Sequence, residues 1–326
     1  MKAIVQDTYG DPDVLRIDDI DLPTVGVGDV LVRVHAAGID AGVWHLMTGM
    51  PYLTRLGFGL TRPKHAVRGR DVAGVVEAVG NEVTGLAPGD EVFGTSVTGA
   101  FAEFVAVPAE RVVRKPANVT FAQAAAVPVS ACTALRALRD NGRLTAGQKV
   151  LVLGASGGVG SYAVQIAKSL GAEVTGVCST AKLDFVRSLG ADHVVDYTTT
   201  DPVDGSTTYD LIVDTGGNRP VADLRKALTP SGSLALVGGE GGGRWTGGFG
   251  RQLRAPLVSP FVGQRLTAVM SSERVSDLEE LSRLMATGEL VPPVDRAFPL
   301  DDAAAAVRYY MSGAVRGKAV VQVVSD

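Results

Sequence analysis

Near the middle of the chain, a cluster of glycines lies between a short apolar run and an amphipathic segment. Lys149–Gly154 predicts a buried strand, and the apolar spacing of Val159–Leu170 predicts a helix. Glycine in such a turn lets the backbone approach a pyrophosphate, and the N–H groups at a helix N-terminus favour anions. The spacing therefore predicts a dinucleotide site, with a tight turn that binds no ligand as the alternative. Its predicted contacts are Ala155, Ser156, Gly157, Gly158, Val159 and Gly160.

The end of the next predicted strand, Glu173–Cys178, indicates which dinucleotide would bind. No acidic residue follows it, whereas sites for the unphosphorylated coenzyme place Asp or Glu there. Ser179 and Thr180 offer hydroxyls, and Lys182 offers a cation one turn later. We therefore expect NADPH rather than NADH, with Tyr197 as a second contact on the adenosine side. The alternatives are that Lys182 is a solvated helix residue and Tyr197 a surface tyrosine.

Composition limits the class of protein. The 326 residues are 46% hydrophobic and 20% charged, which excludes a disordered chain and favours two domains. The net charge of −4 argues against nucleic acid or an anionic membrane as the main partner. Two cysteines cannot form a disulfide framework, so we expect a cytoplasmic protein. The N-terminal segment does not resemble a signal peptide, and no apolar run is long enough to span a membrane.

The hydrophobic pattern changes near Thr120. Before it, short apolar runs separated by turn residues predict a small barrel or sandwich. After it, apolar strands alternate with helices, which indicates a parallel, doubly wound sheet. The glycine-rich run Gly238–Gly250 predicts a loop. The last elements either extend that sheet or return to the first domain, and the pattern leaves this open.

Several motifs together carry a family resemblance. They are Gly69–Gly80, Pro88–Val92, Gly154–Gly160 and Gly317-Lys318. With them the chain resembles the zinc-free quinone oxidoreductase (zeta-crystallin-like) branch of the medium-chain dehydrogenase/reductase superfamily. The resemblance implies an α/β protein in which a GroES-like β-barrel catalytic domain (1–120 and 265–326) accompanies a Rossmann doubly wound parallel-sheet domain (121–264). It also implies an active site in the cleft between the domains and a homodimer joined through sheet edges.

The positions that hold zinc in the metal-using relatives carry other residues here. Asp40 follows the Gly-Ile pair and Arg70-Asp71 replaces the histidine motif, so two of the three zinc-ligand positions are lost. A guanidinium cannot ligate zinc, so we expect no metal. Asp40 and Arg70 are predicted to form an ion pair, with Arg70 bonding loop carbonyls or Asp71 as the alternative. Asp40 is also a candidate acceptor for a ribose hydroxyl.

The resemblance implies hydride transfer from NADPH to an acceptor that is already electrophilic, namely a quinone or an α,β-unsaturated carbonyl. Candidates for proton donation or charge stabilisation are His45, Tyr52, Arg70 and Thr133, and we expect none to be essential because water can supply the proton. Thr133 is also a candidate contact of the nicotinamide. The alternatives are an enoyl-thioester reductase of polyketide type, a non-catalytic NADPH-binding or redox-sensing protein, and, from the Gly-x-Ser-x-Gly string around Ser156, a hydrolase.

The resemblance implies further coenzyme contacts after two later strands and near the C-terminus. The carboxyl ends of parallel strands are where open sheets bind ligands. These candidates are Thr215, Gly216, Val237, Gly238, Gly239 and Lys318. For the turn residues the alternative is an ordinary turn, and for Lys318 it is a surface strand residue.

Overall fold

The structure is a computed structural model, and it describes residues 1–217, 219–238, 243–270 and 272–324. The strands are β1 (Lys2–Val5), β2 (Arg16–Asp19), β3 (Asp29–Gly38), β4 (Asp71–Val79), β5 (Glu91–Thr95), β6 (Phe104–Pro108), β7 (Val112–Arg114), β8 (Lys149–Leu153), β9 (Glu173–Cys178), β10 (His193–Asp196), β11 (Tyr209–Asp214), β12 (Leu228–Leu236), β13 (Arg265–Ala268), β14 (Val294–Pro299) and β15 (Lys318–Gln322). The helices are α1 (Ala41–Thr48), α2 (Arg55–Phe58), α3 (Phe121–Ala125), α4 (Pro128–Arg136), α5 (Gly158–Ser169), α6 (Leu183–Ser188), α7 (Val221–Lys226), α8 (Phe249–Val258), α9 (Val275–Thr287) and α10 (Ala303–Met311).

The chain divides into two compact units. The first unit contains Met1–Val129 and Glu273–Asp326, and the second contains Ser130–Ser272. The predicted domain borders therefore need correction. The border does not fall after residue 120, because α3 packs against β3 and β4 of the first unit. It does not fall after residue 264 either, because β13 pairs with β12 inside the second unit.

The first unit is built on a seven-stranded sheet in the order β14-β15-β3-β4-β5-β7, with β6 paired to β3. In β3 buried and less buried positions alternate, as expected for a strand with one face on a core. The C-terminal strands β14 and β15 pair with each other and with β3, so the last elements return to the first unit. That resolves the alternative left open by the sequence pattern.

The second unit holds a six-stranded parallel sheet in the order β10-β9-β8-β11-β12-β13. Four of the five residues of β8 are buried, because the helices of a doubly wound fold cover both sheet faces. The predicted strand Glu173–Cys178 is confirmed residue for residue. Helix α8 was not predicted. No helix in the described ranges is long and apolar enough to cross a bilayer.

Candidate functional site

The turn from β8 into α5 is held by backbone hydrogen bonds. Gly154 has a φ of 79°, which favours glycine, and its carbonyl accepts from the N–H of Gly157 at 3.0 Å. The N–H of Ala155 donates to Val177 O at 2.9 Å and so fixes the turn against β9. Gly157 precedes α5 in an extended conformation and supplies no side-chain cap.

The same turn is too tight for a side chain at Gly160. A Cβ there would lie 2.1 Å from the carbonyl oxygen of Gly154. The first N–H groups of a helix have no acceptor within the helix, and here no capping side chain supplies one. Because α5 begins at Gly158, the N–H groups of Gly158, Val159 and Gly160 form an anion-binding end. These residues fit the pyrophosphate of a dinucleotide, and Ser156 beside them is largely buried.

The predicted contacts on the adenosine side meet at one corner of the sheet. Ser179 and Thr180 follow β9, and the N–H of Lys182 donates to Ser179 O at 2.9 Å. Tyr197 follows β10, its side chain is 57% exposed, and its N–H donates to Cys178 O at 3.2 Å. The four candidates are therefore brought together at the carboxyl ends of neighbouring strands.

Asp196, which the sequence analysis did not single out, lies at this corner as well. Its carboxylate accepts from the Thr180 hydroxyl at 2.5 Å and from the Thr198 hydroxyl at 2.7 Å. These hydrogen bonds hold the pKa of Asp196 below its usual value, and the bond from Thr180 has the largest effect. The sequence did contain a signal for a role of Asp196 in this site, because Asp196 directly precedes the predicted contact Tyr197 at the end of a strand. Recognising it required knowing that β10 is next to β9.

The turns after β11 and β12 are joined to each other. The Thr215 hydroxyl donates to Leu153 O at 2.7 Å, and the N–H of Gly238 donates to Asp214 O at 3.1 Å. A Cβ at Gly238 would lie 2.4 Å from Thr215 O. Thr215, Gly216, Val237 and Gly238 are thus brought together as predicted, whereas Gly239 lies outside the described residues.

Helix α8 supports both turns, and its residues were missed by the sequence analysis. The Arg251 guanidinium donates to the buried Asp214 carboxylate, with 2.5 Å between Nη2 and Oδ2, and also to Arg219 O. The Gln252 side chain donates to Val237 O at 3.0 Å. The sequence pattern does not predict α8, because a glycine-rich run precedes this helix and Pro256 lies within it.

In the first unit, Asp71 and Lys318 form a fully buried ion pair. The two side chains are 0% and 1% exposed, with 3.5 Å between Oδ2 and Nζ. Asp71 Oδ1 accepts from the N–H of Val129 at 3.0 Å. Burial raises the pKa of the Asp71 carboxyl, while the ammonium of Lys318 acts in the opposite direction. The alternative that Lys318 is a surface strand residue is wrong, because its side chain is buried against Asp71. Its contact with the coenzyme stays a prediction.

Arg70 pairs with Glu273 and not with Asp40. The distance from Arg70 Nη2 to Glu273 Oε2 is 3.0 Å, and Glu273 is buried. Burial acts against the charge of Arg70, but the carboxylates of Glu273, Asp40 and Asp71 outweigh it and raise the pKa of Arg70. Glu273 is far from Arg70 in the chain, so no sequence signal linked the two.

Asp40 serves as the N-cap of α1. Its Oδ1 accepts from the N–H of Val43 at 3.1 Å. Its Oδ2 is buried and has no hydrogen-bond partner in the part of the chain that the structure describes. The predicted Asp40–Arg70 ion pair is therefore wrong, because Asp40 is committed to the helix and Glu273 takes the guanidinium.

The remaining catalytic candidates lie in different surroundings. His45 is on α1, and its Nδ1 must donate to Met50 O at 2.6 Å because a carbonyl only accepts. The guanidinium of Arg55 lies 4.7 Å from the centre of the Tyr52 ring. Thr133, on α4 in the second unit, is 5% exposed. Within the described ranges, no cluster of three His, Cys, Asp or Glu side chains could hold a metal ion.

Comparison with known proteins identifies the family. Two family models match, "Alcohol dehydrogenase GroES-like domain" over residues 26–117 and "Zinc-binding dehydrogenase" over residues 189–321. A 2-methylene-furan-3-one reductase from Solanum lycopersicum is 32% identical over 98% of this chain and 79% of its own length. The chain belongs to the medium-chain dehydrogenase/reductase superfamily.

Other members of this superfamily are similar in sequence and structure. An NADPH-dependent alkenal/one oxidoreductase of Arabidopsis thaliana chloroplasts is 36% identical over 74% of this chain and 67% of its own length. The structure of the quinone oxidoreductase from Coxiella burnetii superimposes with a TM-score of 0.87 at 27% identity, covering 99% of both chains. The predicted fold class, a GroES-like domain with a Rossmann-type parallel sheet, is confirmed. The protein is an oxidoreductase of the medium-chain dehydrogenase/reductase superfamily.

Proposed function

We propose that the protein transfers a hydride from NADPH to a quinone or to the β-carbon of an α,β-unsaturated carbonyl without a metal ion. The observation that carries the proposal is the N-terminus of α5, open to a pyrophosphate and closed to a side chain at Gly160. Two relatives, a 2-methylene-furan-3-one reductase and an NADPH-dependent alkenal/one oxidoreductase, support the substrate class.

Each part of the coenzyme has residues that suit it. The N–H groups of Gly158, Val159 and Gly160 bind the pyrophosphate. Ser179, Lys182 and Tyr197 contact the phosphorylated ribose. The turns of Thr215–Gly216 and Val237–Gly238 line the nicotinamide half of the coenzyme. When bound, NADPH would supply a proton together with two electrons, as a hydride. Asp214, Arg251 and Gln252 keep those two turns in place.

Protonation completes the reaction. When the β-carbon of an enone accepts hydride, negative charge develops on the carbonyl oxygen and a proton is then added at the α-carbon. The hydrogen on Nδ1 of His45 is donated to Met50 O, so that hydrogen is not available to the substrate. Water is the proposed proton source, and Arg70, held by Glu273, is the cation that can stabilise the developing charge.

The first experiment separates binding from turnover. Fluorescence titration with NADPH is followed by assays with 1,4-benzoquinone, a linear alk-1-en-3-one and, as a control, the corresponding saturated ketone. We expect turnover with the first two only, and deuterium from C4-labelled NADPH at the β-carbon of the reduced enone. Binding without turnover would favour a coenzyme-binding or redox-sensing protein. A strong preference for enoyl thioesters would favour the polyketide-type reductase, and reduction of the saturated ketone by a zinc-loaded protein would overturn the proposal.

We also propose a homodimer in the cytoplasm. Strand β13 is at the edge of the six-stranded sheet, and the nearby Phe261 and Met270 are 86% and 68% exposed. Such an edge can pair with a second copy. Cys132 and Cys178 are both buried and neither is part of a disulfide, which is compatible with a reducing compartment. Sedimentation that shows only monomer would contradict the dimer, and cell fractionation tests the compartment.

A further inference from the structure

The carboxylate of Asp196 is a fixed charge at the end of the coenzyme sheet. In the β9–β10 pairing Asp196 lies opposite Cys178, the last residue of β9. Besides the hydroxyls of Thr180 and Thr198, it accepts from the backbone N–H of Thr198 at 2.9 Å. These donors stabilise the charged form and hold the carboxylate in one place.

Charges of both signs therefore flank the end of β9. The thiol of Cys178 illustrates this, because burial raises its pKa, the carboxylate of Asp196 raises it further, and the ammonium of Lys182 lowers it. Lys182 is the cation expected to attract a 2′-phosphate. Asp196 opposes that attraction from the neighbouring strand.

Asp196 also accepts a hydrogen bond from Thr180, a candidate contact of the 2′-phosphate. A hydroxyl has a single hydrogen, and that of Thr180 points to Asp196 Oδ2. Thr180 therefore offers a phosphate only its lone pairs, which repel phosphate oxygens. The absence of an acid at the end of β9 favours NADPH, but the acid at the end of β10 reduces that advantage.

We propose that Asp196 is a coenzyme-specificity residue whose carboxylate repels the 2′-phosphate and keeps the Thr180 hydroxyl from it, so that the protein uses NADH as well as NADPH. The inference rests on the proposed function, because it requires a dinucleotide at this corner of the sheet. Asp196, together with the nearby cations, then sets the ratio of the affinities for NADPH and NADH.

The test is Asp196→Asn, measured by calorimetric binding of 2′,5′-ADP and 5′-AMP to the full chain without substrate. We expect the variant to bind 2′,5′-ADP roughly five- to tenfold more tightly and 5′-AMP with little change, because only the former carries the extra phosphate charge. The gain should shrink at high salt, because the hydrogen-bonded carboxylate of Asp196 lies in a solvent-accessible environment where ions screen its repulsion of the phosphate.

Asp204→Asn is the matched control. Asp204 is an exposed aspartate whose carboxylate accepts from a nearby turn, at Ser206, and its substitution should leave both affinities unchanged. A variant Asp196→Asn whose affinity ratio stays within twofold of the wild-type ratio, or which tightens both ligands equally, would overturn the inference. If wild-type protein binds neither probe, the proposed coenzyme site fails, and the inference with it. Thermal unfolding shows whether each variant is folded.

Discussion

The Arg251 guanidinium reaches from α8 to the buried carboxylate of Asp214, with 2.5 Å between Nη2 and Oδ2. The other oxygen of Asp214 accepts from the N–H groups of Gly216 and Gly217 at 3.1 and 3.0 Å. One carboxylate thus fixes a turn of the proposed coenzyme site on one side and an arginine on the other. The arginine neutralises a charge that would otherwise be buried.

Arg251→Ala should lower both stability and coenzyme affinity. The substitution leaves Asp214 without its cation, and removing one partner of a largely buried pair costs about 3 kcal/mol. We expect the free energy of unfolding to fall by about that amount and the Kd for NADPH to rise, while kcat at saturating coenzyme changes less. Urea unfolding and fluorescence titration measure these quantities.

Lys226→Ala is the control for that loss, because Lys226 pairs with Asp223 on the surface. Surface ion pairs contribute little, so this variant should unfold and bind coenzyme like the wild type. Equal behaviour of the two variants would show that the Asp214–Arg251 pair does not support the turn.

Lys318→Met should destabilise the first unit in a pH-dependent manner. Burial raises the pKa of Asp71, and loss of the ammonium removes the main opposing effect, so the pKa rises further. A folded-state pKa above the unfolded one means that stability is retained below the unfolded pKa of the carboxyl, about 3.9, and is lost as pH rises through the folded pKa. In the wild type burial already raises the pKa of Asp71 to about 7, so below that pH the carboxyl is protonated in both folded proteins and their stabilities change in parallel. We expect the penalty relative to wild type to grow as the pH rises above about 7, as measured by denaturant unfolding at each pH.

The double variant Asp71→Asn/Lys318→Met removes the titrating group. Its own free energy of unfolding should vary much less with pH than that of Lys318→Met, because residue 71 no longer ionises. A penalty for Lys318→Met that does not grow above about pH 7 would mean that the buried carboxylate is not its cause.

Gly160→Ala should damage the coenzyme turn directly. Its Cβ would meet the carbonyl of Gly154, which is backbone and cannot move aside like a flexible side chain. We expect a loss of about 2 kcal/mol in stability and a weaker Kd for NADPH. Gly28→Ala is the control, because a Cβ there has nothing within 4 Å. NADPH binding unchanged in Gly160→Ala would argue against a tight dinucleotide turn.

His45→Ala should leave most of the turnover. General acid catalysis by a side chain contributes on the order of 10²–10⁴ in rate, but Nδ1 of His45 is engaged with Met50 O. We therefore expect kcat to fall by less than about tenfold, with a similar pH profile. A loss of about 10³ in kcat would identify His45 as an essential proton donor.

The sequence predicts the second unit more closely than the first. Strands β9, β10 and β11 are short apolar runs bounded by turn residues, and burial on both faces makes that pattern distinct. The glycine turn can be predicted equally well, because the strand before it and the helix after it both have clear hydrophobic patterns. Helix α8 was missed because a glycine-rich run precedes it and a proline lies within it.

Side-chain pairing was much harder to predict. Arg70 was assigned to Asp40 because both occupy positions of former metal ligands, yet the guanidinium binds Glu273 from a distant part of the chain. For Lys318 the sequence pattern left a surface position open, but on β15 the side chain is buried and pairs with Asp71. Local spacing does not reveal such partners, because they depend on which strands become neighbours.

The divided first unit imposes an order on biosynthesis. A ribosome translates Asp71 early and delivers Lys318 only after all of Ser130–Ser272 has been made. The parallel sheet is therefore able to form on the growing chain, as domains generally fold as units. Strands β3 to β7 are made long before β14 and β15, which add to the sheet beside β3 and bring Lys318 to Asp71.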